Sequence, residues 1–275
     1  MAAVLTPDVL LVGCGDLGAD IGLRLATLGH EVVAIRRRGD LVPAPLHGLS
    51  ADLTVDAPRL PPLDLAHLVV ALTARPRTEE SYRRTYVDGM ARALDAVEAA
   101  GQSPRRAVLV SSTAVYGDAD PDEVLDELTP PRPVDGPGRM LLEAERLFLE
   151  RLPAGTVLRF SGLYGHGEPR LVEQVRRGEV GDPHRWTNRV HRDDAAAAVV
   201  HLLTRAEPPE RLYVGTDDEP SQLGDVAAFV ADRLGAPVPP AADPSRGTGK
   251  RLSNARLRAS GWVPQFPTYR QGYLA

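Results

Sequence analysis

The stretch VLLVGCGDLG at residues 9–18 constrains the fold of this chain more than any other part of the sequence. Val9–Val12 is a short, uninterrupted apolar run, which is typical of a strand buried on both faces of a parallel sheet. After the glycines, apolar side chains recur at helical spacing through residues 17–28, and a second apolar run begins at Val32. The stretch therefore predicts a βαβ unit.

The same alternation continues along the chain and predicts its fold class. Further apolar runs are expected to form strands at residues 49–53, 68–72, 107–111, 156–160 and 212–214, with helices at 81–100, 193–203 and 223–234. Strands that alternate with helices predict an α/β fold with a doubly wound parallel sheet, the Rossmann fold. We expect a Rossmann domain at residues 1–160 and a smaller C-terminal substrate lobe at 161–275, interleaved with the sheet through the strand near 212–214.

Charge and composition limit the partners of this chain of 275 residues. The net charge is −5 and the basic residues are scattered, so we expect a small-molecule substrate and no nucleic acid. The single cysteine, Cys14, excludes an intrachain disulfide framework. No apolar run has membrane-spanning length and the first residues do not resemble a secretion signal, so we expect a cytoplasmic protein without membrane association. For the oligomeric state, the candidate is a homodimer.

The glycine pattern GxGxxG, formed by Gly13, Gly15 and Gly18, indicates a dinucleotide site because it lies between a strand and a helix. The first glycine permits a tight turn, the second lets a pyrophosphate approach the backbone, and the third lets helix and strand pack closely. The alternative is a simple strand-to-helix turn. We expect cofactor contacts from Gly13, Gly15, Asp16, Leu17, Gly18, Arg36, Arg37, Asp52 and Thr73.

The arginine run at residues 36–38 favours NADP as the cofactor, with NAD as the weaker alternative. It follows the second strand, where an NAD site usually presents an acidic residue to the ribose 2′-hydroxyl. Arginine suits a 2′-phosphate because its planar fork makes charge-assisted bonds to phosphate oxygens. A solvated basic turn is the alternative. Asp52, at the end of the third predicted strand, is a candidate for adenine contact or an exposed strand-end residue.

Three later segments carry a family resemblance. They are VSSTAVYGD at 110–118, VLRFSGLYGHG from Val157 and NRVHRDDAA from Asn188. Together with the glycine pattern they resemble the short-chain dehydrogenase/reductase superfamily, in particular its extended NAD-dependent epimerase/dehydratase branch and atypical members. The resemblance implies that Ser112 holds a substrate carbonyl, because the family carries a serine or threonine four residues before the tyrosine of the first segment.

The family's tyrosine and lysine pair is missing. Aligning PVDGPGRMLLEAE at 133–145 with the family's catalytic helix puts Pro137 at the tyrosine and Leu141 at the lysine. No tyrosine anywhere in the chain is followed four residues later by lysine or arginine, so the loss does not depend on the alignment. This absence marks the chain as atypical.

Other polar side chains are candidates for the site. Tyr116 is a candidate catalytic donor near Ser112, or a packing residue. Substrate contacts are expected from Tyr164, His166, Trp186, Asn188 and Arg189. His166 is the one whose side-chain type titrates in a useful range. Thr187 stands where nucleotide-sugar members of the family often carry a phosphate-clamping arginine, which disfavours such substrates. His, Cys and acidic residues lack metal-ligand spacing, so no metal is expected.

Three functions remain open from the sequence. The first is an NADP-dependent atypical oxidoreductase that acts on a small metabolite and uses a proton route other than the missing pair. The second is a catalytically silent NADP(H)-binding sensor or interaction protein, which the missing pair favours. The third is a sugar epimerase or dehydratase, disfavoured by the missing tyrosine.

Overall fold

The computed structural model describes residues 6–117, 119–120, 122–167 and 170–273. The described residues fall into two compact units. The first comprises Met1–Tyr116, Pro131–Arg159 and Ala196–Tyr213, and the second comprises Gly117–Pro130, Phe160–Ala195 and Val214–Ala275. The expected division at residue 160 into a cofactor domain and a substrate lobe stays a prediction.

The strands and helices follow one another along the chain as the alternating pattern predicts. The strands are β1 Val9–Val12, β2 Val32–Arg36, β3 His47–Ser50, β4 His67–Val70, β5 Arg106–Ser112, β6 Val124–Leu125, β7 Gly155–Phe160, β8 Gly162–Tyr164, β9 Arg185–Thr187, β10 Arg189–His191, β11 Leu212–Gly215, β12 Ser221–Gln222, β13 Thr248–Gly249 and β14 Arg251–Leu252. The helices are α1 Asp16–Thr27, α2 Glu79–Tyr82, α3 Met90–Ala99, α4 Gly136–Arg151, α5 Arg170–Arg177, α6 Arg192–Thr204, α7 Leu223–Leu234, α8 Ala255–Ala259 and α9 Tyr269–Gly272. A π-helical segment, Arg83–Gly89, joins α2 to α3.

In the described part of the chain, seven strands form one sheet in the order β11-β7-β5-β4-β1-β2-β3. Strand β1 pairs in parallel with β2 and β4, and the pairs β2 with β3 and β4 with β5 are also parallel. The chain moves outward from β1 to one edge and then crosses to build the other side, which is the doubly wound order of a Rossmann fold. This confirms the predicted fold class.

The core of the first unit is formed by the apolar runs of the strands and by the apolar sides of the helices. All four residues of β1 are buried, as are Val33 and Ile35 of β2. Met90 and Leu94 of α3 and Phe148 of α4 bury the apolar sides of their helices in the same core. Strands covered on both faces are continuous apolar runs, which is why their positions were predictable.

The third strand lies earlier than predicted. It spans His47–Ser50 instead of residues 49–53, and its side chains are mostly exposed. Strand β3 is at the edge of the sheet, so it lacks the continuous apolar run on which the prediction depended. The remaining predicted strands and helices correspond to observed elements, with boundaries that shift by a few residues.

The second unit is built from short pairings. Strands β8 and β10 pair in parallel, β9 pairs with β12 and β13, and β14 pairs with β6. Helices α5 and α7 share a small apolar cluster that includes Val175 and Val230. Strands of two or three residues carry no readable periodicity, so the sequence did not predict them. Among the described residues, no helix has the length and apolarity needed to cross a bilayer.

Candidate functional site

The glycine loop between β1 and α1 has the geometry that close approach of a ligand requires. Gly13 has φ +98°, and a Cβ there would lie 2.5 Å from the carbonyl oxygen of Ala71. A Cβ on Gly18 would lie 2.3 Å from the carbonyl oxygen of Gly13. A Cβ on Gly15 would meet nothing within 4 Å, because this residue faces open space at the start of α1. The first and third glycines are therefore needed for packing, while the second leaves the backbone accessible.

A cavity of about 820 Å³ in the first unit lies against this loop. Its lining includes most of the cofactor residues that the sequence predicts, namely Gly13, Gly15, Arg36, Arg37, Asp52 and Thr73. Asp16, Leu17 and Gly18 follow on α1 and are not part of the lining. The lining also includes Arg75, Thr78 and Arg84, which sequence reasoning missed because no motif marks them.

The arginines after β2 differ in how they are held. Arg36 is partly buried and its Nη1 donates to the carbonyl oxygen of Leu41 at 3.0 Å. Arg37 and Arg38 are exposed and line the cavity. Burial raises the pKa of the Cys14 thiol, and the positive charge of Arg36 offsets part of that rise. Cys14 is thus a protonated small residue of the loop at neutral pH.

Asp52 is held as an anion at the cavity wall. Its Oδ1 accepts hydrogen bonds from the Thr54 hydroxyl at 2.7 Å and the Thr54 amide at 3.0 Å. These bonds lower the pKa of the Asp52 carboxyl, with smaller contributions from the charges of Arg37 and Arg84. Because Asp52 also lines the cavity, its carboxylate is placed to accept a hydrogen bond from a ligand there.

Ser112 ends β5 and caps the short turn Thr113–Val115. Its Oγ accepts a hydrogen bond from the Ala114 amide at 3.2 Å. The side chain is partly buried, and the bond leaves the hydroxyl proton available to donate. Its predicted role at a substrate carbonyl stays a prediction.

Tyr116 is a core residue. It is 2% exposed, and its hydroxyl accepts a hydrogen bond from Arg159 Nη1 at 2.9 Å. The guanidinium carbon of Arg159 lies 4.9 Å from the centre of the tyrosine ring. This placement favours the packing alternative and disfavours the predicted role as a donor to substrate, because the phenol is enclosed in the first unit.

A buried ion pair that the sequence did not reveal supports this tyrosine. Arg159 Nη2 donates to Glu145 Oε2 at 2.6 Å, and its Nε donates to Oε1 at 3.0 Å. Ser111 Oγ donates to Glu145 Oε1 at 2.6 Å. Glu145 and Arg159 are 3% and 4% exposed. Charged residues this deeply buried are rare unless paired, and this pairing depends on α4 meeting β5 and β7.

The two residues that the family resemblance aligns with the tyrosine and the lysine are apolar and buried. Pro137 and Leu141 are both buried residues of α4, whose N-terminus is capped by Asp135 through its bond to the Gly138 amide at 2.7 Å. A Cβ on Gly138 would lie 2.8 Å from the carbonyl oxygen of Ala114, so the helix packs tightly on the turn after β5. Arg139 is exposed and pairs with Glu79 at 2.9 Å. The helix is retained without an acid/base group at either position.

In the second unit, Tyr164 and His166 lie near other titratable side chains. Tyr164 is 7% exposed, its ring stacks on Tyr273, and burial raises the pKa of its phenol. His166 has φ 55° and is half-exposed, and its Nε2 lies 2.9 Å from Asp193 Oδ1. A non-glycine residue with positive φ is uncommon, and such strain is often found at functional sites. Burial lowers the pKa of the neighbouring His191.

The other predicted substrate residues have different surroundings. Both ends of the Asn188 amide bind backbone, since Nδ2 donates to Lys250 O at 2.8 Å and Oδ1 accepts from Leu252 N at 2.9 Å. These bonds give Asn188 a structural role and do not favour its predicted substrate contact. Arg189 is 6% exposed and its Nη2 donates to the hydroxyl and carbonyl oxygens of Thr187. The buried Nε1 of Trp186 has no hydrogen-bond partner among the described residues.

Sequence reasoning missed Asp217, which follows β11. It is 1% exposed, and burial raises the pKa of its carboxyl to about 7, although the positive charge of Arg189 and the Glu219 amide oppose that rise. An aspartate in a polar DDE run is typical of a surface turn, so no sequence signal indicated its burial. Within the described ranges, no group of three or more His, Cys, Asp or Glu side chains is arranged to hold a metal ion.

Known proteins resemble this chain over nearly its whole length. A reductase from a Streptomyces species, 3-diazoavenalumate denitrifying reductase, is 31% identical, and the match covers 96% of this chain and 98% of that protein. A solved structure from Methylobacillus flagellatus, described as an NAD-dependent epimerase/dehydratase, is 38% identical with a TM-score of 0.81 and coverage of 98% and 97%. The UDP-glucose 4-epimerase of Thermus thermophilus in complex with NAD is 22% identical with a TM-score of 0.74 and coverage of 96% of both chains, a likeness that shows the fold alone.

The family model for the NAD dependent epimerase/dehydratase family matches residues 9–215. This range begins at β1, includes the glycine loop and ends with β11, so it contains all seven strands of the main sheet. The motifs that carried the resemblance lie within it. The chain belongs to the NAD-dependent epimerase/dehydratase family.

Proposed function

We propose that this protein is a reductase that uses a nicotinamide dinucleotide, prefers NADP(H), and acts on a small molecule without the tyrosine and lysine pair. One contrast carries the proposal: the glycine loop has cofactor-binding geometry, whereas Pro137 and Leu141 are buried at the positions of the pair. The 31% identity to a reductase over almost the whole chain supports reduction over epimerisation.

The residues around the loop fit such a cofactor. The open backbone at Gly15 and the N-terminus of α1 suit a pyrophosphate, because amide groups and the helix dipole favour negative charge there. Asp52 would accept hydrogen bonds from the adenosine portion, and Arg36 and Arg37 would contact a ribose 2′-phosphate. Thr73, which follows β4, also lines the cavity. When bound in reduced form, the cofactor supplies a hydride.

The proton supply limits the substrates that this chain can reduce. Reduction of a carbonyl needs a proton as well as a hydride, and the hydroxyl of Tyr116 is enclosed with Arg159. A diazonium cation needs no proton from the protein, since R–N₂⁺ + H⁻ gives R–H + N₂. The Streptomyces relative is named for a diazo compound and for loss of nitrogen. We therefore propose cationic electrophiles, with aryl diazonium ions as the leading case, over simple ketones.

The test compares hydride use on two matched acceptors. Purified protein with NADPH is given benzenediazonium or benzaldehyde, and the loss of NADPH absorbance and the release of dinitrogen are followed. We expect turnover above the protein-free rate with the diazonium ion only. Turnover confined to benzaldehyde would contradict the substrate class, and absence of NADPH binding would contradict the reductase itself.

A silent NADP(H)-binding protein is the second candidate, because two buried apolar residues at the catalytic positions are what such a protein would carry. It predicts tight NADPH binding without NADPH consumption on either acceptor. A sugar-nucleotide epimerase is disfavoured, since Thr187 donates to the carbonyl oxygen of Ser221 at 2.8 Å in place of a phosphate-clamping arginine.

A further inference from the structure

The π-helical segment Arg83–Gly89 contributes to the wall of the 820 Å³ cavity beside the glycine loop. Arg84 and Thr85 line the cavity, whereas Val87 belongs to the apolar core of the first unit. The segment therefore has one face on the cavity and another in the core. Segments with π-helical geometry are rare and frequently occur at functional sites.

The C-terminal end of this segment packs against the chain that follows β3. A Cβ on Gly89 would lie 3.3 Å from the carbonyl oxygen of Leu53. Arg92, in the first turn of α3, donates from its Nη1 to the same oxygen at 2.9 Å. Leu53 directly follows Asp52, so these contacts fix the segment beside that carboxylate.

Arg84 lies at the same end of the cavity as Asp52. The hydrogen bonds from Thr54 are the main cause of the lowered pKa of the Asp52 carboxyl, and the positive charges of Arg37 and Arg84 lower it further. Coulomb interactions weaken with distance and are screened by solvent, so both guanidinium groups must lie near this carboxylate.

The guanidinium group of Arg84 is accessible and loosely held. Its Nη1 lies 4.0 Å from Glu80 Oε1, and the two side chains are 56% and 84% exposed. An exposed ion pair of this length contributes little and does not fix the guanidinium group. The preceding residue, Arg83, differs because it makes two bonds to Glu143, at 2.9 and 3.0 Å, and does not line the cavity. Arg84 can therefore turn toward a ligand in the cavity.

The other lining residues show which part of a ligand Arg84 suits. Among the described residues that line the cavity, none is a phenylalanine, tyrosine, tryptophan or histidine. An adenine whose amino edge faces Asp52 still needs a flat partner for its ring, and a guanidinium group is planar and stacks on aromatic faces. Arg37 follows β2, where the 2′-phosphate is expected, whereas Arg84 lies on a separate element.

We propose that Arg84 stacks on the adenine ring of the bound cofactor and does not bind the 2′-phosphate. The proposal rests on the proposed cofactor site and adds a residue that binds the base. Arg84 strengthens the binding of NADPH and NADH by the same factor, because both nucleotides carry adenine. Arg36 and Arg37, in contrast, discriminate between the two nucleotides.

Two substitutions separate stacking from a charge contact. Nicotinamide fluorescence titrations with NADPH and with NADH give the dissociation constants. Arg84→Ala should raise both constants by about tenfold, because the ring loses its stacking partner. Arg84→Tyr keeps a flat face without the positive charge, so both constants should stay within about threefold of the wild type. Arg84 is exposed, so neither change disturbs the core.

Arg83→Ala is the matched control and should leave both constants unchanged. A loss in Arg84→Ala that is confined to NADPH would mean a phosphate contact and would overturn the inference. Unchanged binding of both nucleotides in Arg84→Ala, or binding by Arg84→Tyr as weak as that of Arg84→Ala, would also overturn it. If the wild type bound neither nucleotide, the proposed cofactor would be wrong, and this inference with it.

Discussion

The hydroxyl of Tyr116 accepts a hydrogen bond from Arg159 Nη1 at 2.9 Å, inside the core of the first unit. Arg159 also donates to both carboxylate oxygens of Glu145, which in turn accepts from Ser111. The strand β5, the turn after it and the helix α4 are thereby joined through one buried polar cluster. The tyrosine of the VYG motif belongs to this buried cluster and directly follows the turn that Ser112 caps.

Substitutions in this cluster should lower the free energy of unfolding. The loss should be larger when a charged side chain is left without its partner than when a neutral one is. We expect Arg159→Ala to lower the free energy of unfolding by about 3–5 kcal/mol, because it leaves Glu145 buried without its cation. Tyr116→Phe should cost about 1–3 kcal/mol, because one guanidinium donor loses its acceptor. Urea denaturation followed by circular dichroism measures both. The double variant Glu145→Leu/Arg159→Met should be more stable than Arg159→Ala, and a Tyr116→Phe loss as large as that of Arg159→Ala would contradict this ordering.

The glycine loop provides a matched set of variants. Gly13→Ala should destabilise the fold by roughly 1–3 kcal/mol, because the residue has positive φ and its new Cβ would meet the Ala71 carbonyl. Gly15→Ala has open space and should keep the stability of the wild type. It should nevertheless weaken NADPH binding by on the order of tenfold, since the methyl group stands where a pyrophosphate approaches. Thermal melts and NADPH fluorescence titrations separate the two effects, and equal affinity in Gly15→Ala would contradict a cofactor at this loop.

Replacing the two arginines should change the cofactor preference. Arg36→Ala/Arg37→Ala should raise the NADPH dissociation constant by roughly tenfold to a hundredfold, while NADH affinity changes little, because only NADPH carries the 2′-phosphate. Arg105→Ala is the control, since Arg105 is exposed and does not line the cavity. Equal losses for both nucleotides would show that these arginines do not read the 2′-phosphate.

Asp217 should make stability depend on pH in a defined direction. Its pKa is raised from 3.8 to about 7 in the folded protein, so the folded state holds its proton more tightly than the unfolded state. The stabilising contribution is complete below about pH 4 and is lost as the pH rises through about 7. Relative to Asp217→Asn, the wild type should lose ~2–4 kcal/mol of unfolding free energy across this window.

The charged groups around Asp217 act on the pKa of its carboxyl in both directions. Arg189 opposes the rise of its pKa, while the charges of Glu219 and Asp218 favour it. Urea denaturation of both proteins between pH 4 and pH 8 gives the difference curve. A difference that does not vary with pH, or that grows in the opposite direction, would show that the carboxyl is not buried as described.

The imidazole of His166 should affect turnover only in a reaction that takes a proton from the protein. Asparagine tolerates positive φ, so His166→Asn removes the imidazole while keeping the backbone conformation. We expect diazonium turnover to change less than about twofold in this variant, because that reaction needs no proton donor. A large loss of diazonium turnover with unchanged NADPH affinity would make the imidazole part of the reaction.

The sequence determined the sheet, the glycine loop and the family. Buried parallel strands are continuous apolar runs, and the turn after β1 has steric requirements that only glycine meets, so local composition carries this information. The missing tyrosine and lysine pair was equally readable, because it is a fact of spacing. The predicted position of the edge strand β3 was wrong by a few residues, because an exposed strand has no continuous apolar run.

Only the tertiary structure decided which polar residues are enclosed. Tyr116 looked like a site residue and is buried with Arg159, whereas Asp217 looked like a surface turn and is buried with a carboxyl of raised pKa. Ser111 and Arg159, the partners of Glu145, and Arg189, whose charge acts on Asp217, are distant from these carboxyls in sequence, and the burial of both carboxyls results from the packing of separate elements. Side-chain type and spacing determine local conformation, but the desolvation and pairing of a charge depend on what the rest of the fold brings to it.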